Sequence, residues 1–475
     1  MRVLTCECGM TCGGGERPPT RPGERDMDNG LVTRRAFLQG LGGCAAAGLV
    51  GCAVSAGGDA PDKRPPNIVV ILADDLGWAD VGYHGSAIKT PHIDRLSRQG
   101  LRLEQHYVTP TCTPTRVGLI TGRYPSRFGV TAPAYGKIFH DDTLTLPALL
   151  KRAGYHTAIS GKWHMGSPPD ETPRKYGFDE SYGYFHGQID PYTHHYKTGE
   201  ASWHRNDELL EEEGHATDLI TAEAVRVIET PRQEPFFLYV AYSVPHFPLD
   251  EPQRWLDLYL DVEPVSRRWY AASVSHMDDG IGRILDALDR TDRREDTLVL
   301  FVSDNGGQKS WHSATQYHGR YADKSHTVLG DNRPWRGWKG DVYEGGIRVP
   351  AIIRWPGHLP GGRCDAPMHI VDWMPTLATV VGVEPQGDMR WDGRNIRPAL
   401  QGRSGPAVER TLYWKTPNAR ALRQGDWKLI VFNNGKTELY NLAEDPYEQT
   451  DLAADEPDRL VRLQQSLAHI SVGDW

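Results

Sequence analysis

The chain has few cysteines for its length. Seven occur in 475 residues, and only Cys112 and Cys364 lie beyond residue 52. Two thiols so far apart in sequence do not make a disulfide framework, so the fold must depend on a buried core, which a chain of this length can form. Cys364 lies in the loop-like segment PGGRCDAP. Cys112 lies in PTCTPTRVGLITG, where a free thiol needs a chemical explanation.

Runs of basic residues are also lacking. The formal net charge is −9, and no cluster of Lys and Arg offers a surface for RNA or DNA, so we expect no nucleic-acid partner. Aromatic residues, in contrast, are frequent, with 14 Trp and 20 Tyr. Most should belong to the core, but rings on exposed loops suit a flat polar ligand such as a sugar.

Residues 1–62 predict an N-terminal extension with an export signal. Paired arginines in TRRAFLQG precede a Gly- and Ala-rich apolar run, which resembles a twin-arginine signal over about 27–52, with Met27 as the expected start of translation. A membrane-spanning helix is the alternative. The letters LVGC resemble a bacterial lipoprotein box and predict a lipid anchor on Cys52, with ordinary cleavage near Ala56 as the alternative. We expect an exported protein, either periplasmic or anchored to the bacterial envelope.

Strand-like and helix-like runs alternate over residues 63–401. The strand-like runs are PNIVVILADDLG, EPFFLYVAYS, TLVLFVSDNGG and RVPAIIRWPG, and the helix-like ones are TPHIDRLSRQG, LTLPALLKRAG and VSHMDDGIGRILDALDR. This alternation predicts an α/β domain with a large doubly wound, mixed β-sheet flanked by helices. In residues 402–475, the strand-like runs ERTLYWKT, ARALRQGDWKLIVFNN and TELYNLA precede a helix-like run. They predict a smaller C-terminal antiparallel α+β subdomain.

Two of the strand-like runs end in acidic or amide residues followed by glycine. Asp74 and Asp75 end the first run, and Asp304 and Asn305 end the third. Such pairs are common in loops and at helix starts. Because ligands bind beyond the carboxyl ends of strands in this kind of sheet, however, we expect the four side chains to converge. Oxygen donors without His or Cys suit Ca²⁺ or Mg²⁺ and argue against a zinc pair.

Cationic and imidazole side chains occur in other motifs that should reach the same edge. Lys162 and His164 are two residues apart in GYHTAISGKWHMG, so an extended segment would place them on one face. His246 follows a strand-like run in YSVPHFP, and Lys339 lies in the Gly-flanked segment RGWKG. Each alone is as easily structural. Together with Arg116 they would give the site a positive balance once a divalent cation is bound, and so predict an anionic ligand.

The segment around Cys112 looks like a helix start. Thr113 and Pro114 fit an N-cap and a first-turn proline, so Cys112 would lie at a helix N-terminus, where N–H groups and the dipole favour an anion. The same features would lower the pKa of a thiol and favour a thiolate nucleophile. A soft thiolate is nevertheless a poor companion for a hard cation.

The motifs resemble those of the type I, formylglycine-dependent sulfatases of the alkaline-phosphatase-like superfamily. CTPTR followed by VGLITG resembles the family signature, with Thr115 in place of the commoner serine, and GYHTAISGKWH resembles the second signature. ADD, PHFP, SDNGG, KGDVYEGGIRVP and the late RQGDWKLI to DPYEQTDLA follow in the family's order, over about residues 66–452. The chain is most similar to arylsulfatase B-like members.

The resemblance implies that a separate formylglycine-generating enzyme oxidises Cys112 to an aldehyde, whose hydrate is the nucleophile and a metal ligand. It implies a sulfuric ester hydrolase acting on a carbohydrate sulfate, with Ca²⁺ preferred over Mg²⁺. The implied metal ligands are Asp74, Asp75, Cys112, Asp304 and Asn305. The implied catalytic residues are Cys112, Arg116, Lys162, His164, His246 and Lys339. The alternatives are a phosphomonoester or phosphodiester hydrolase of the same superfamily and a glycan-binding protein whose cysteine is never matured.

One segment predicts substrate specificity. GFDESYGYFHGQIDPYTHHY, at 177–196, combines aromatic residues with histidines in an expected loop. This segment and GDNRPWRGWKG, which contains Lys339, are the parts most similar to arylsulfatase B-like members. The candidate sugar contacts are Asp190, His194, His195, Trp335 and Trp338.

Overall fold

The computed structural model describes residues 65–168, 171–311, 328–384, 389–403 and 410–475. The predicted extension at 1–62, with its export signal and Cys52, lies outside these residues. Within the described ranges, no helix combines the length and the hydropathy needed to cross a bilayer. The predicted domain boundary at 401/402 stays a prediction.

Ten strands form one large mixed sheet. In the order in which they lie side by side, they are β11 (Gly362–Cys364), β2 (Leu101–Leu103), β10 (Ala351–Arg354), β9 (Thr297–Ser303), β1 (Asn67–Ala73), β8 (Phe236–Ala241), β4 (His156–Lys162), β5 (Glu180–Tyr184), β6 (Trp203–Arg205) and β7 (Glu208–Leu209). The five strands from β9 to β5 are parallel, whereas β10 and β6 run antiparallel to their neighbours. Strands β8 and β9 are buried along their whole length, as expected for central parallel strands covered on both faces.

The described residues form ten α-helices, most of them packed on the two faces of this sheet. They are α1 (Pro91–Gln99), α2 (Cys112–Thr121), α3 (Leu146–Arg152), α4 (Ala216–Glu229), α5 (Gln253–Leu256), α6 (Val265–Arg290), α7 (Glu344–Ile347), α8 (Trp373–Val380), α9 (Arg397–Leu400) and α10 (Pro457–Ile470). Alternate residues of β1 enter two different cores. Val70 packs in one with α2, α3 and α8, and Val69 in the other with α1, α4 and α6. The predicted doubly wound sheet is confirmed.

The C-terminal part is an antiparallel sheet with one helix. Its strands, in both chain and spatial order, are β13 (Thr411–Lys415), β14 (Ala419–Gln424), β15 (Trp427–Phe432) and β16 (Thr437–Asn441). Leu463 and Leu467 of α10 join the core that also contains α2 and α8. A short parallel pair, β3 (His106–Tyr107) and β12 (Met368–His369), completes the architecture. The predicted C-terminal α+β unit is confirmed.

Strand register determines which loops meet. Ala73 at the end of β1 pairs with Ser303 at the end of β9, so the residues that follow both strands emerge side by side. On the other side of β1, Gly161 of β4 pairs with Ala241 of β8. The carboxyl ends of four adjacent strands therefore bring together the loops that carry the candidate residues.

Candidate active site

Four oxygen-donor side chains converge at the carboxyl ends of β1 and β9. The Asp75 backbone N–H donates to Asp304 Oδ1 at 3.2 Å, and Asn305 Nδ2 donates to Asp75 Oδ1 at 2.7 Å. Asp74 lies beside them, and all four residues are at most 1% exposed. Asp75 has a φ of 69°, a left-handed conformation that a non-glycine residue adopts only where its surroundings stabilise it. The structure thus brings together the side chains that the sequence analysis grouped.

This group fits a hard divalent cation. Asp74 Oδ1 and Asn305 Oδ1 are buried and accept no hydrogen bond within the described residues. The orientation of the Asn305 amide is well determined, because its nitrogen donates to both Asp75 and the Gly306 carbonyl. A buried oxygen without a partner costs about 1–3 kcal/mol, and an ion bound by these oxygens would remove that cost. Carboxylate and amide oxygens are the ligands that Ca²⁺ and Mg²⁺ prefer.

Arg116 and Lys162 pair with two of the aspartates. Arg116 Nη2 lies 2.8 Å from Asp304 Oδ2, and its Nη1 donates to the Lys162 carbonyl at 3.1 Å. Lys162 Nζ lies 2.5 Å from Asp74 Oδ2, and neither cationic side chain is exposed. Burial is the largest influence on Asp304, and together with the charge of Asp74 it raises the pKa of that carboxyl to about 6.

Lys339 pairs with the remaining aspartate and is held by two close backbone contacts. Its Nζ lies 2.7 Å from Asp75 Oδ1. Burial is the largest influence and opposes its charge, but the nearby negative charges, chiefly that of Asp75, together outweigh it and raise the pKa of Lys339. Its backbone N–H donates to Gly307, and the next N–H, from Gly340, donates to Pro110 at 2.7 Å. Three cations and three aspartates balance, so a bound divalent ion would leave a net positive charge suited to an anion.

Gly306, in SDNGG, allows the segment that carries Lys339 to lie close to the end of β9. A Cβ on Gly306 would lie 1.8 Å from the Gly345 carbonyl oxygen, and the Gly306 N–H donates to Gly346 at 3.0 Å. Any side chain here would separate the two backbones and move the Lys339 segment away from β9.

Cys112 is the first residue of α2 and is buried. The residue before the helix is Thr111, with φ −145° and ψ 161°, so the prediction of Thr113 as the N-cap was wrong. Pro114 is instead the third helical residue, where its missing N–H costs no intrahelical bond. Burial raises the pKa of the Cys112 thiol, and Lys162 and Lys339 oppose that effect only in part. The unmodified thiol is therefore protonated near neutral pH, which argues against a thiolate nucleophile.

Two histidines border the group, of which His164 is buried and His246 is partly buried. His164 has a φ of 53°, so the extended segment predicted to continue past Lys162 ends there, and neither ring nitrogen has a partner among the described residues. His246 Nδ1 lies 2.6 Å from the Phe247 carbonyl, leaving Nε2 directed 3.8 Å from Asp75 Oδ2. Burial lowers the pKa of both imidazoles, and the nearest lysines lower it further. Both rings are therefore neutral in the absence of an anionic ligand.

Comparison with known proteins shows the family. Residues 66–383 match the family model described as Sulfatase. The chain belongs to the sulfatase family. Residues 336–471 also match the model described as N-sulphoglucosamine sulphohydrolase, C-terminal. The family predicted from the sequence motifs is confirmed, and with it the activity of a sulfuric ester hydrolase.

Individual relatives cover most of this sulfatase. Arylsulfatase J of Mus musculus is 31% identical over 487 residues, which cover 86% of this chain and 78% of that protein. N-acetylgalactosamine-6-sulfatase of Homo sapiens is 34% identical over 367 residues, with 72% and 67% covered. The crystal structure of Ps i-CgsB superposes with a TM-score of 0.79 at 30% identity, covering 87% of this chain and 94% of that one.

The candidate sugar contacts in the 177–196 segment all have partners within the protein. Asp190 Oδ1 accepts the N–H groups of Tyr192 and Thr193 at 3.0 and 2.8 Å. His194 is 3% exposed and its ring stacks 4.5 Å from that of Trp203. His195 Nδ1 lies 2.7 Å from the Thr193 carbonyl. These bonds shape the loop, and contact with a sugar stays a prediction for all three residues.

The two tryptophans before Lys339 are both half-buried. Trp335 is packed, with the Arg348 guanidinium 3.9 Å from its ring centroid and Trp78 edge-on at 5.4 Å. Trp338 is half-buried, and its backbone N–H donates to Asp341 at 2.9 Å. Their contact with substrate is likewise still a prediction.

The sequence analysis missed Tyr239. Its hydroxyl lies 3.4 Å from Arg116 Nη1, from within β8. The strand-like run EPFFLYVAYS was interpreted only as core, although a hydroxyl near the carboxyl end of a central strand could have been recognised as a neighbour of the site.

Proposed function

We propose that this sulfatase removes sulfate from a carbohydrate ester with a formylglycine made from Cys112 and a bound Ca²⁺. The observation that carries the proposal is a buried thiol among three cations, with its pKa raised by burial, beside two oxygens to which no described residue donates a hydrogen bond. A thiol in that state is a poor nucleophile, whereas an aldehyde hydrate at the same position presents hard oxygen to a hard cation.

Asp74, Asp75, Asp304 and Asn305 would hold the cation, with Ca²⁺ preferred over Mg²⁺. The bound ion would lower the pKa of a hydroxyl on the hydrate and polarise the sulfate ester. The pairing of Lys162 and Lys339 with aspartates orients both ammonium groups in the absence of substrate.

The first chemical step would transfer the sulfuryl group to the protein. One hydroxyl oxygen of the hydrate would bond to sulfur while its proton passes to Asp304 as the base. The bond from sulfur to the sugar oxygen breaks, and protonated His246 gives its Nε2 proton to that oxygen. The negative charge of the ester between Lys339 and His246 favours the protonated imidazole that this step requires.

The second step would release sulfate. His164, neutral because it is buried, accepts the proton of the remaining hydroxyl. The carbonyl re-forms as the bond from carbon to the sulfate oxygen breaks, and water adds to the aldehyde to restore the hydrate. An ester on a serine at the same position has no second hydroxyl and could not leave in this way.

The choice of a carbohydrate ester is supported by the relatives. N-acetylgalactosamine-6-sulfatase is named for a sugar ester, and Ps i-CgsB has been solved in complex with k-i-k-neocarrahexaose. Export to the periplasm or the envelope, based on the N-terminal motifs, would give the enzyme access to external sulfated glycans. Cell fractionation with and without the paired arginines tests that part of the proposal.

The central experiment measures maturation and turnover on one sample. The protein is expressed with a formylglycine-generating enzyme, and the mass of the Cys112 peptide is determined. We expect sulfur to be exchanged for oxygen with loss of two hydrogens, together with sulfate release that Cys112→Ala abolishes and Cys364→Ala leaves intact. An unmodified cysteine in a folded protein that binds but never cleaves would contradict the proposal, provided that a control sulfatase is matured in parallel. Phosphate release faster than sulfate release would favour a phosphoesterase.

A further inference from the structure

An exposed aromatic ring lies next to the buried site. Tyr135 is 56% exposed, and its ring centroid is 5.6 Å from that of His164, which is only 3% exposed. The tyrosine therefore stands between the catalytic cluster and solvent.

The backbone on both sides of Tyr135 is tied to segments of the site. The Ala134 N–H donates to the hydroxyl of Thr113, the residue after Cys112, at 3.4 Å. On the other side, the Gly136 carbonyl oxygen would lie 3.2 Å from a Cβ on Gly166, two residues after His164. The ring is thus positioned by the two segments that carry the proposed nucleophile and base.

A second tyrosine supports the first. The Tyr196 hydroxyl donates to the Tyr135 hydroxyl at 3.1 Å, and Tyr196 itself is 8% exposed. Its ring is stacked on His186 at 4.5 Å with an interplanar angle of 15°, and His186 Nδ1 lies 2.7 Å from Ser202 Oγ. Tyr196 ends the segment that the sequence analysis marked for specificity, so that segment supports the exposed ring.

The position of this ring fits a sugar. An ester anchored by its sulfate among Lys162, Lys339 and His246 must direct its alcohol part outward, past His164. Gly187 fixes the ring at this point, because it lets His164 pack against its backbone where a Cβ would lie 2.6 Å from His164 Nε2. The apolar C–H face of a pyranose packs well on a rigid, exposed aromatic ring, at little cost in side-chain entropy.

Other half-exposed tyrosines do not share this environment. Tyr192 packs edge-on against His215 at 5.1 Å, and Tyr447 lies against Trp335 at 5.9 Å. Exposure of a tyrosine alone therefore does not indicate a sugar contact. Tyr135 is distinguished by exposure together with contact to His164 and a backbone attachment beside Cys112.

We propose that Tyr135, supported by Tyr196, is the platform against which the sugar ring carrying the scissile sulfate stacks. The proposal rests on the carbohydrate sulfatase function proposed above and adds the residue that distinguishes a sugar ester from other sulfate esters. The measurement that tests this proposal is the selectivity of the enzyme between sulfate esters with and without a sugar ring.

The test compares Tyr135→Ala with Tyr135→Phe, on a sulfated oligosaccharide and on a ring-free alkyl sulfate. We expect Tyr135→Ala to lower kcat/KM for the oligosaccharide by about 10- to 100-fold, the range of one lost stacking contact, and to change the alkyl sulfate by less than about 3-fold. Tyr135→Phe should keep most sugar turnover, because it retains the ring.

The outcomes separate the two proposals. Equal losses on both substrates would mean that Tyr135 only positions His164, and an unchanged oligosaccharide rate would mean that no sugar stacks there. Either result overturns the platform while wild-type sugar turnover stands. A matured wild-type enzyme that cleaves alkyl sulfate but no sugar sulfate would overturn the carbohydrate proposal, and the platform with it.

Discussion

Two of the buried clusters of charge among the described residues differ in whether every oxygen lies beside a cation or a hydrogen-bond donor. In the active-site cluster, described above, no described residue donates to Asp74 Oδ1 or Asn305 Oδ1. In the second, called here the Lys428 cluster, Lys428 Nζ lies 2.9 Å from Glu344 Oε1 and 2.7 Å from Glu448 Oε1. Glu344 Oε2 accepts from the Tyr107 hydroxyl, and Glu448 Oε2 accepts from the Glu344 N–H, each at 2.7 Å. We call the Lys428 cluster closed, because each of its four carboxylate oxygens lies beside a cation or a donor, and the active-site cluster open. A closed cluster can hold segments of the chain together, whereas an open one has oxygens left to bind a ligand.

The Lys428 cluster fastens the C-terminal sheet to the segment that carries Lys339. Lys428 belongs to β15 and Glu344 begins α7, five residues after Lys339. Arg336 adds to this junction, since its Nη1 donates to the Glu448 carbonyl at 2.7 Å and to the Tyr440 hydroxyl at 3.0 Å. The Lys428 cluster thus helps to position the segment that brings Lys339 into the active-site cluster.

The largest effect is expected from breaking the open cluster. Asp74→Asn removes one carboxylate of the proposed cation site and the partner of Lys162. Sulfate release should fall by at least about 10³-fold, which corresponds to about 4 kcal/mol of lost transition-state stabilisation. Saturating Ca²⁺ at about 100 times its Kd should stabilise the wild type by roughly 2.7 kcal/mol and the variant not at all. Steady-state kinetics and thermal unfolding with and without Ca²⁺ check both statements.

A chelator provides the matched control for this variant. Removing the ion from the wild-type protein should reproduce the lost activity and the lost stabilisation, and Lys428→Met should respond to Ca²⁺ as the wild type does. A Ca²⁺-induced shift of equal size in Asp74→Asn would mean that the ion binds elsewhere.

Breaking the closed cluster should chiefly affect stability. Lys428→Met leaves two buried carboxylates without their cation, and loss of one partner from a buried pair costs about 3–5 kcal/mol. Denaturant unfolding should show that loss, while the folded fraction keeps its Ca²⁺ response. Adding Glu344→Gln and Glu448→Gln to the same chain removes the unpaired charges and should recover most of the stability. A loss below about 1 kcal/mol in the single variant would contradict the closed-cluster interpretation.

The sequence predicted the open cluster better than the closed one, for a physical reason. Asp74, Asp75, Asp304 and Asn305 each follow a continuous buried strand, so the parallel sheet alone brings them to one edge. Lys428 gives no such signal, because its partners lie 84 residues before it and 20 after it, on an unrelated helix and turn. Within a strand pattern a lysine is expected at a solvent-facing position.

The sequence patterns also did not predict the local backbone conformation at the ends of two elements. TPTR fits an N-cap at Thr113 by composition, but the extended conformation of Thr111 starts the helix two residues earlier. His164 continues a strand pattern, yet its left-handed φ ends the strand. Tyr135 lies in a segment with no periodicity, so only the tertiary contacts distinguish it from the other tyrosines.

The smallest predicted effect is a pH dependence of the free energy of unfolding that comes from the closed cluster. Two carboxylates share Lys428, and Glu344 also accepts from Tyr107. Burial, with the charge of Glu344 opposing its ionisation, raises the pKa of Glu448 from 4.5 to about 7 despite Lys428. The folded protein then holds a proton that the unfolded chain releases. The stabilisation is therefore complete below about pH 4.5 and is lost as the pH rises through about 7, by roughly 1 to 3 kcal/mol.

Glu448→Gln isolates that contribution from other titrating groups. His276, whose pKa is raised to about 9 by Glu251 and Asp218 against the effect of burial, also favours the folded state less as pH rises, but it does so equally in both proteins. Free energies of unfolding measured from pH 5 to 8 should fall more steeply in the wild type than in Glu448→Gln, because the neutral amide has no proton to lose. Parallel curves would mean that both glutamates are ionised throughout, and that the closed cluster tolerates a net negative charge.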